Sequence, residues 1–477
     1  MPDDIRQAGE EGSRPAPLPP GALCLALSVP LVDANILFGW GWAALLAAPL
    51  VALYFALCWP RVSLNGKLLL LLSLGVGVAT LFAKDGASTL TYAAARLAFF
   101  PTFIAMLGLL RAAADASHTP AAAGALLVRQ PPSRRYAALS LGGHIFGILL
   151  NIGGLALLLD MTRRANTLEA GFGDPRVVAL RERRMTLAVM RGFACIALWS
   201  PLGLALNLLL ACVPDLSWIE VAPYGLLAAL GFMALGFVFD RLEFPAPTRP
   251  HVPGDNRTGR RALLKMVGHI AALSVLALAA EFATRLPFQA ILINLVPLYA
   301  LGWLLANGFV RDAPNPLAFA GQKLRDGGLR RWPDHANEIA VFAASGFLGV
   351  ILAALAPREA LQLAVSSLAL PPGLFAAMLA AAVFVLGFVG VNPMISASIL
   401  AATLSSVTIP GLSHANMVLA LAGGWTCVIG VAPLMSSLVL TAGIIGRRAA
   451  EVGLVWNGRY ALAGVVLWLL ALLVVRV

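Results

Sequence analysis

The chain has 477 residues, 60% of them hydrophobic and only 12% charged, with a formal net charge of +11. Soluble domains carry about 25% charge, so a water-soluble globule is excluded, and the apolar runs are continuous rather than alternating, which excludes a membrane β-barrel. Arginine clusters between the apolar runs, the orientation signal of inner-membrane proteins, and this accounts for the basic balance without any nucleic-acid partner.

Residues 1–20, MPDDIRQAGEEGSRPAPLPP, are acidic and Pro-rich and lack the basic start of a cleaved signal, so a disordered tail is expected. Residues 21–32 form a short apolar run ended by Pro30 and Asp33, either a short extra span or a half-inserted helix. Spans follow near 36–58, 68–83 and 89–111. Arg96, inside the third, either neutralises an anion, pairs with an acid, or snorkels to the interface.

The next apolar stretch, 136–162, has arginines on both flanks, which is awkward for a single crossing. A re-entrant hairpin removes the conflict. Its glycines, Gly142, Gly143, Gly147, Gly153 and Gly154, supply flexible turns, and the tip is placed at Gly142-Gly143-His144. Spans near 187–213 and 219–239 follow. The Arg-rich stretch 176–191 reads as a cytoplasmic loop attracted to anionic lipid.

In the second half, spans are expected near 266–283, 289–310 and 338–356. Glu281 is read as an interfacial partner of Arg285, at i,i+4 spacing. Residues 371–408 are too long for one span and are broken at Gly390, Asn392 and Pro393 between uncharged flanks, so a second hairpin enters from outside. Spans near 416–446 and 457–476 complete the chain.

The basic loops 112–135, 163–186, 240–265 and 311–336, with Arg447 and Arg448, fall on one side, taken as cytoplasmic. Loops 212–218, 284–288 and 409–415 fall on the other. The expected fold is an all-α polytopic membrane protein of the bacterial cytoplasmic membrane with two inverted repeats. Residues 21–240 and 266–477 form the repeats, joined by a basic linker at 241–265. Each repeat has five spans, a hairpin (about 136–162 and 371–408) and a broken helix (about 187–213 and 416–446).

One pattern occurs twice. Gly192, Cys195, Pro201 and Leu202 recur at the same spacing as Gly424, Cys427, Pro433 and Leu434. Paired, proline-interrupted membrane helices in corresponding positions point to a transporter's binding site. The remaining cysteines, Cys24, Cys58 and Cys212, have no CxxC spacing, and neither a disulfide framework nor a metal site is expected.

Candidate site residues follow from the breaks. Pro393 frees backbone carbonyls, and the helix restarting there presents N–H groups suited to an anion, with Asn392, Ser396 and Ser398 as neutral ligands. The bland alternative is a kinked helix whose serines bond their own turns. His144 is an intramembrane titratable group able to carry a proton or bind substrate, or else a neutral histidine bonded to backbone. Asn151 is a weaker substrate ligand or a helix-packing amide. Ser200 before Pro201, and Thr426 and Gly430 before Pro433, mark carbonyl-rich breaks that suit Na+, or kinks that serve packing alone.

Hairpin, broken helix and span, repeated in inverted order, resemble the ion transporter superfamily, which includes arsenite permeases and divalent-anion–sodium symporters. Gly423, Gly424, Thr426, Ile429 and Gly430 in GGWTCVIGVAP carry the local match. The symporters' Ser-Asn-Thr tips and the antiporters' Asp after Ile-Gly are absent. The resemblance implies alternating-access transport and leaves ion and substrate open. The expected function is secondary transport of a small anion, an organic acid or oxyanion, coupled to Na+ or H+ and needing no cofactor. The expected partners are that anion and membrane lipids, with a homodimer as a possible assembly. A flippase for a lipid-linked or envelope precursor is the alternative, and a membrane enzyme on lipid carriers a third class. No catalytic constellation or Walker motif is present.

Overall fold

The computed structural model describes residues 17–83, 85–214, 216–244, 256–355 and 358–474. Residues 1–16 of the expected N-terminal tail and 245–255 of the basic linker lie outside the described residues. Every regular element among those described is helical.

Four helices joined by short turns open the chain: α1 (Pro20–Phe38), α2 (Gly41–Leu57), α3 (Leu64–Thr80) and α4 (Gly86–Asp115). The run expected to end at Pro30 and Asp33 is instead the start of a 19-residue helix, with Pro30 inside it. The chain turns only at Gly39, whose left-handed φ of 67° ends α1. Asp33 therefore caps nothing; it accepts a hydrogen bond from Asn294.

The rest of the first half comprises α5 (Thr119–Val128), the paired helices α6 (Pro132–Leu150) and α7 (Ile152–Arg164), the interrupted helices α8 (Pro175–Ala194) and α9 (Leu204–Cys212), and α10 (Trp218–Glu243). Helices α6 and α7 fold back on each other, with Gly154 against the Phe146 carbonyl and Gly142 beside Leu158. The turn is at Asn151 (φ 51°, ψ −137°), not at Gly142-Gly143-His144. Those glycines lie inside α6 because they let neighbours approach. A Cβ on Gly143 would overlap the carbonyl of Val189 in α8, and one on Gly192 would overlap that of Ser140.

The second half comprises α11 (Arg257–Thr284), α12 (Phe288–Val310), α13 (Pro316–Gly327), α14 (Ala336–Leu355), α15 (Arg358–Ser367), α16 (Pro372–Phe388), α17 (Pro393–Leu404), α18 (His414–Ile429), α19 (Ser436–Ile445) and α20 (Gly458–Val474). Helices α15 and α16 meet at 114°. Between α16 and α17 the chain turns at Gly390, whose φ is 104°, and the Asn392 side chain caps α17 by accepting from the Met394 N–H. A Cβ on Gly424 would overlap the carbonyl of Ala380 in α16, as one on Gly192 would against α6. The two glycines of the repeated pattern thus do the same job, seating a hairpin limb on a broken helix.

Six helices are long and apolar enough to cross a membrane among the described residues, and α2, α3 and α20, at 17 residues each, reach the lower end of the spanning range of about 17–25. Helix α18 is buried from Ala415 to Ile429, while Leu45, Leu53, Leu71, Leu74, Leu227 and Leu470 are exposed on the outer helices. An apolar surface around a packed interior is the arrangement lipid requires. The chain is an all-α polytopic membrane protein.

The stretch 176–191 is not a loop. It belongs to α8, and Arg181, Arg183, Arg184 and Arg191 bond within the protein. Arg184 grips Asp240 with two bonds of 2.8 and 2.6 Å, and Arg183 reaches Glu243 at 3.2 Å. At the same face, Arg447 meets Glu182 at 2.9 Å, and that bond raises the already high guanidinium pKa. Helices α5 and α13 occupy parts of the expected loops 112–135 and 311–336.

Candidate functional site

The first break begins as α8 tightens into a 3-10 turn at Cys195–Leu198. Helical geometry is then lost from Trp199 until α9 begins at Leu204. Pro201 has no N–H to continue the ladder. Three side chains hold the break. Trp199 Nε1 donates to His144 Nε2 at 2.9 Å, and His144 Nδ1 lies 3.1 Å from the Gly192 carbonyl. Those two partners fix a neutral ring protonated at Nδ1. Trp218 Nε1 donates to the Trp199 carbonyl at 2.8 Å. Asn207 Nδ2 donates to the carbonyls of Pro201 and Gly203 at 2.9 and 2.8 Å. Most of the freed carbonyls are therefore already occupied. Two buried oxygens are not: Ser200 Oγ and Asn207 Oδ1 have no partner among the described residues.

The second break separates Ile429 from Ser436. Asn457 Nδ2 donates to the Gly430 carbonyl at 2.9 Å, and Ser437 Oγ to that of Ile429 at 3.3 Å. Thr426 Oγ1 donates within its own helix, to Ala422. Arg191, only 2% exposed, comes from α8 to this break. Its Nε donates to Asn457 Oδ1 at 2.8 Å and its Nη1 to Tyr136 Oη at 3.1 Å, and the guanidinium lies 4.2 Å from the Tyr460 ring centroid. Arg191 Nη2 has no partner among the described residues, and no carboxylate there lies within ion-pair distance of the side chain. A void of about 20 Å³, bounded by Arg191, Thr426, Gly430 and Asn457, sits beside it. That is room for one water-sized occupant.

Each hairpin tip meets a break. Asn151 lines a cavity of about 50 Å³ with Leu202 and Leu204 of the first break and with Arg111, His335 and Glu338. Gly390 of the second tip lies beside Leu434 of the second break. Ser396 and Ser398 take the bland option, bonding to Pro393 and Ile395 of their own helix at 3.5 and 3.2 Å. His144 is not at a tip: it sits seven residues before Asn151, about 10 Å along α6.

Sequence reasoning missed Arg191, Asn207, Asn457 and Arg111. Arg191 stands directly before Gly192 of the repeated pattern, and its position seven residues after Arg184 puts both on one helical face. Asn457 carries no local signal, because its role depends on a contact far away in the chain.

No known family and no curated protein matches the chain. Among solved structures it is similar to the crystal structure of the Alcanivorax borkumensis YdaH transporter, described as having an unusual topology. The TM-score is 0.54 at 18% sequence identity, covering 85% of this chain and 96% of that one. The chain shares the fold of that structure. At that identity the likeness to YdaH concerns architecture, and neither substrate nor coupling ion is transferred with it.

Proposed function

We propose that this protein is a secondary active transporter of a small anion, an organic acid or oxyanion, working by alternating access at the two broken helices. The YdaH-like fold and the pairing of each hairpin tip with a break support a transport site there. The resemblance to the ion transporter superfamily fits the same reading, as do repeats spanning 21–240 and 266–477 in opposite senses. The bacterial cytoplasmic membrane is the location that the arginine asymmetry supports.

The anion assignment rests on one observation: Arg191 is a buried guanidinium beside the second break with no acidic partner among the described residues. An intramembrane charge of this kind marks a substrate or ion pathway. In this reading Arg191, with Asn151, Asn392 and the Gly430 region, supplies the anion's surroundings. Ser200 Oγ and Asn207 Oδ1, both free at the first break, suit a hard cation that takes oxygen ligands, which favours Na+ as the coupling ion.

The test is uptake into proteoliposomes. Dicarboxylates, tricarboxylates, sulfate and arsenite are offered under an imposed Na+ gradient, an imposed pH gradient, or neither. Gradient-dependent accumulation of one anion that Arg191→Gln abolishes is the expected result. Accumulation of a cation or neutral solute instead would overturn the anion assignment.

A further inference from the structure

A sizeable cavity lies away from the breaks. It measures about 430 Å³ and opens on the face opposite the arginine-rich loops, between the ends of α1, α9 and α11 and the starts of α10 and α12. Its volume falls within the range of about 300–1,000 Å³ that small-molecule sites occupy.

Three groups give it chemistry. Arg96 reaches it from the tenth residue after Gly86, the start of α4, about 15 Å along that helix. An arginine so far into a membrane helix is tolerated where it faces a wet cavity. It bonds Tyr92 Oη at 2.9 Å and lies over the rings of Tyr92 and Phe99, so its position is fixed. Gln289, on the floor, is 4% exposed, and its Nε2 has no partner among the described residues. Arg285 stands at the exposed rim. The sequence pairs Arg285 with Glu281, but the chain leaves α11 at Arg285 with a left-handed φ of 59°, and Glu281 Oε1 accepts from Ser217 Oγ at 2.9 Å instead. Asn35, Tyr92, Ser217 and Glu281 also line it, and Glu281 Oε2 has no partner among the described residues, so the head must sit on the Arg96 and Gln289 side; the rest of the wall is mostly apolar, including Val32, Ile36, Leu210 and Leu286.

A buried amide donor and a fixed guanidinium ask for an acceptor with negative charge, and the apolar wall asks for a hydrocarbon body. We propose that this cavity is a binding site for an amphiphilic organic carboxylate, its head between Arg96 and Gln289 and its body against the α1 and α9 side chains. The site is separate from the transport site, and binding to it requires no transport.

The probe is 3-phenylpropionate, titrated into the purified full chain in maltoside micelles by calorimetry, with 3-phenylpropanol as the neutral analogue. Saturable binding of the acid, at least about tenfold tighter than of the alcohol, is expected, as a charge-assisted bond implies. Arg96→Gln and Gln289→Leu should each weaken it about tenfold, and Arg96→Lys should restore part of the loss. Unfolding midpoints show that the variants are intact, and Gln289→Leu carries the test should Arg96→Gln fail to fold. No saturable binding by the parent, or equal binding by the parent and both intact variants, overturns the site. So does a cavity that only phosphatidylglycerol fills, shown by titration and by co-purified lipid. Because no gradient or uptake is measured, these outcomes leave the transport reading to its own experiment.

Discussion

Asn457 joins Arg191 to the second break. It accepts from the Arg191 guanidinium at 2.8 Å and donates to the Gly430 carbonyl at 2.9 Å. Arg191 belongs to the helix that leads into the first break, so this one carboxamide ties the two broken helices together. A rearrangement that separates the halves must break both bonds, or carry Asn457 along with one of the partners.

Asn457→Leu should therefore destabilise strongly, by about 2–4 kcal/mol, since it leaves a buried carbonyl and a buried guanidinium Nε without partners. Arg191→Leu in the Asn457→Leu background should cost much less than Arg191→Leu alone, because the pair acts as a unit. Thermal unfolding in detergent of the two single variants and the double variant gives the coupling. Strictly additive losses would show that the strut carries no energy.

The repeated glycines give a second expectation. Gly192→Ala and Gly424→Ala each place a methyl group against a backbone carbonyl, of Ser140 and Ala380 respectively, and backbone cannot turn aside as a flexible side chain can. Each should lower stability by about 1–3 kcal/mol, the usual cost of overpacking. Gly231→Ala, which meets open space, is the control and should change little. Unfolding midpoints of the three variants decide whether close approach is what these glycines provide.

Arg184 and Asp240 give the third. Asp240 is 1% exposed and takes both bonds from one guanidinium. Arg184→Met strands a buried carboxylate and should cost about 3–5 kcal/mol, whereas replacing both partners with apolar residues should be far milder. A double variant as unstable as the single one would contradict this account.

Much of the fold was legible because hydropathy, arginine placement and proline breaks are local signals, and lipid enforces them. The second hairpin's turn at Gly390–Pro393 could be read because proline and a left-handed glycine permit little else. The first hairpin's tip could not. Gly142 and Gly143 look like turn residues, yet they serve a crossing with α8, and only a partner distant in sequence distinguishes the two uses. The same holds at the site. Ser200, Gly430 and the breaks were visible, but Asn207, Asn457 and the inward turn of Arg191 depend on tertiary contacts that no spacing encodes.

His144 decides how the first break works. In the sequence it is either a proton carrier or a bonded neutral histidine, and the structure gives both ring nitrogens partners inside the protein. Protonating Nε2 would set one N–H against the Trp199 N–H, so a proton can be taken up only if that bond opens. If the ring is a pin, His144→Gln should replace both bonds with its carbonyl and amide, leaving uptake and its pH profile close to the parent's. His144→Phe removes both and should destabilise by about 1–3 kcal/mol while loosening Trp199. Uptake measured across pH for the Gln variant, with Trp fluorescence and unfolding for the Phe variant, separates the roles. A Gln variant that folds normally but loses the pH dependence of uptake would make His144 the coupling group, and the Trp199 bond would then be the gate that opens when the proton binds.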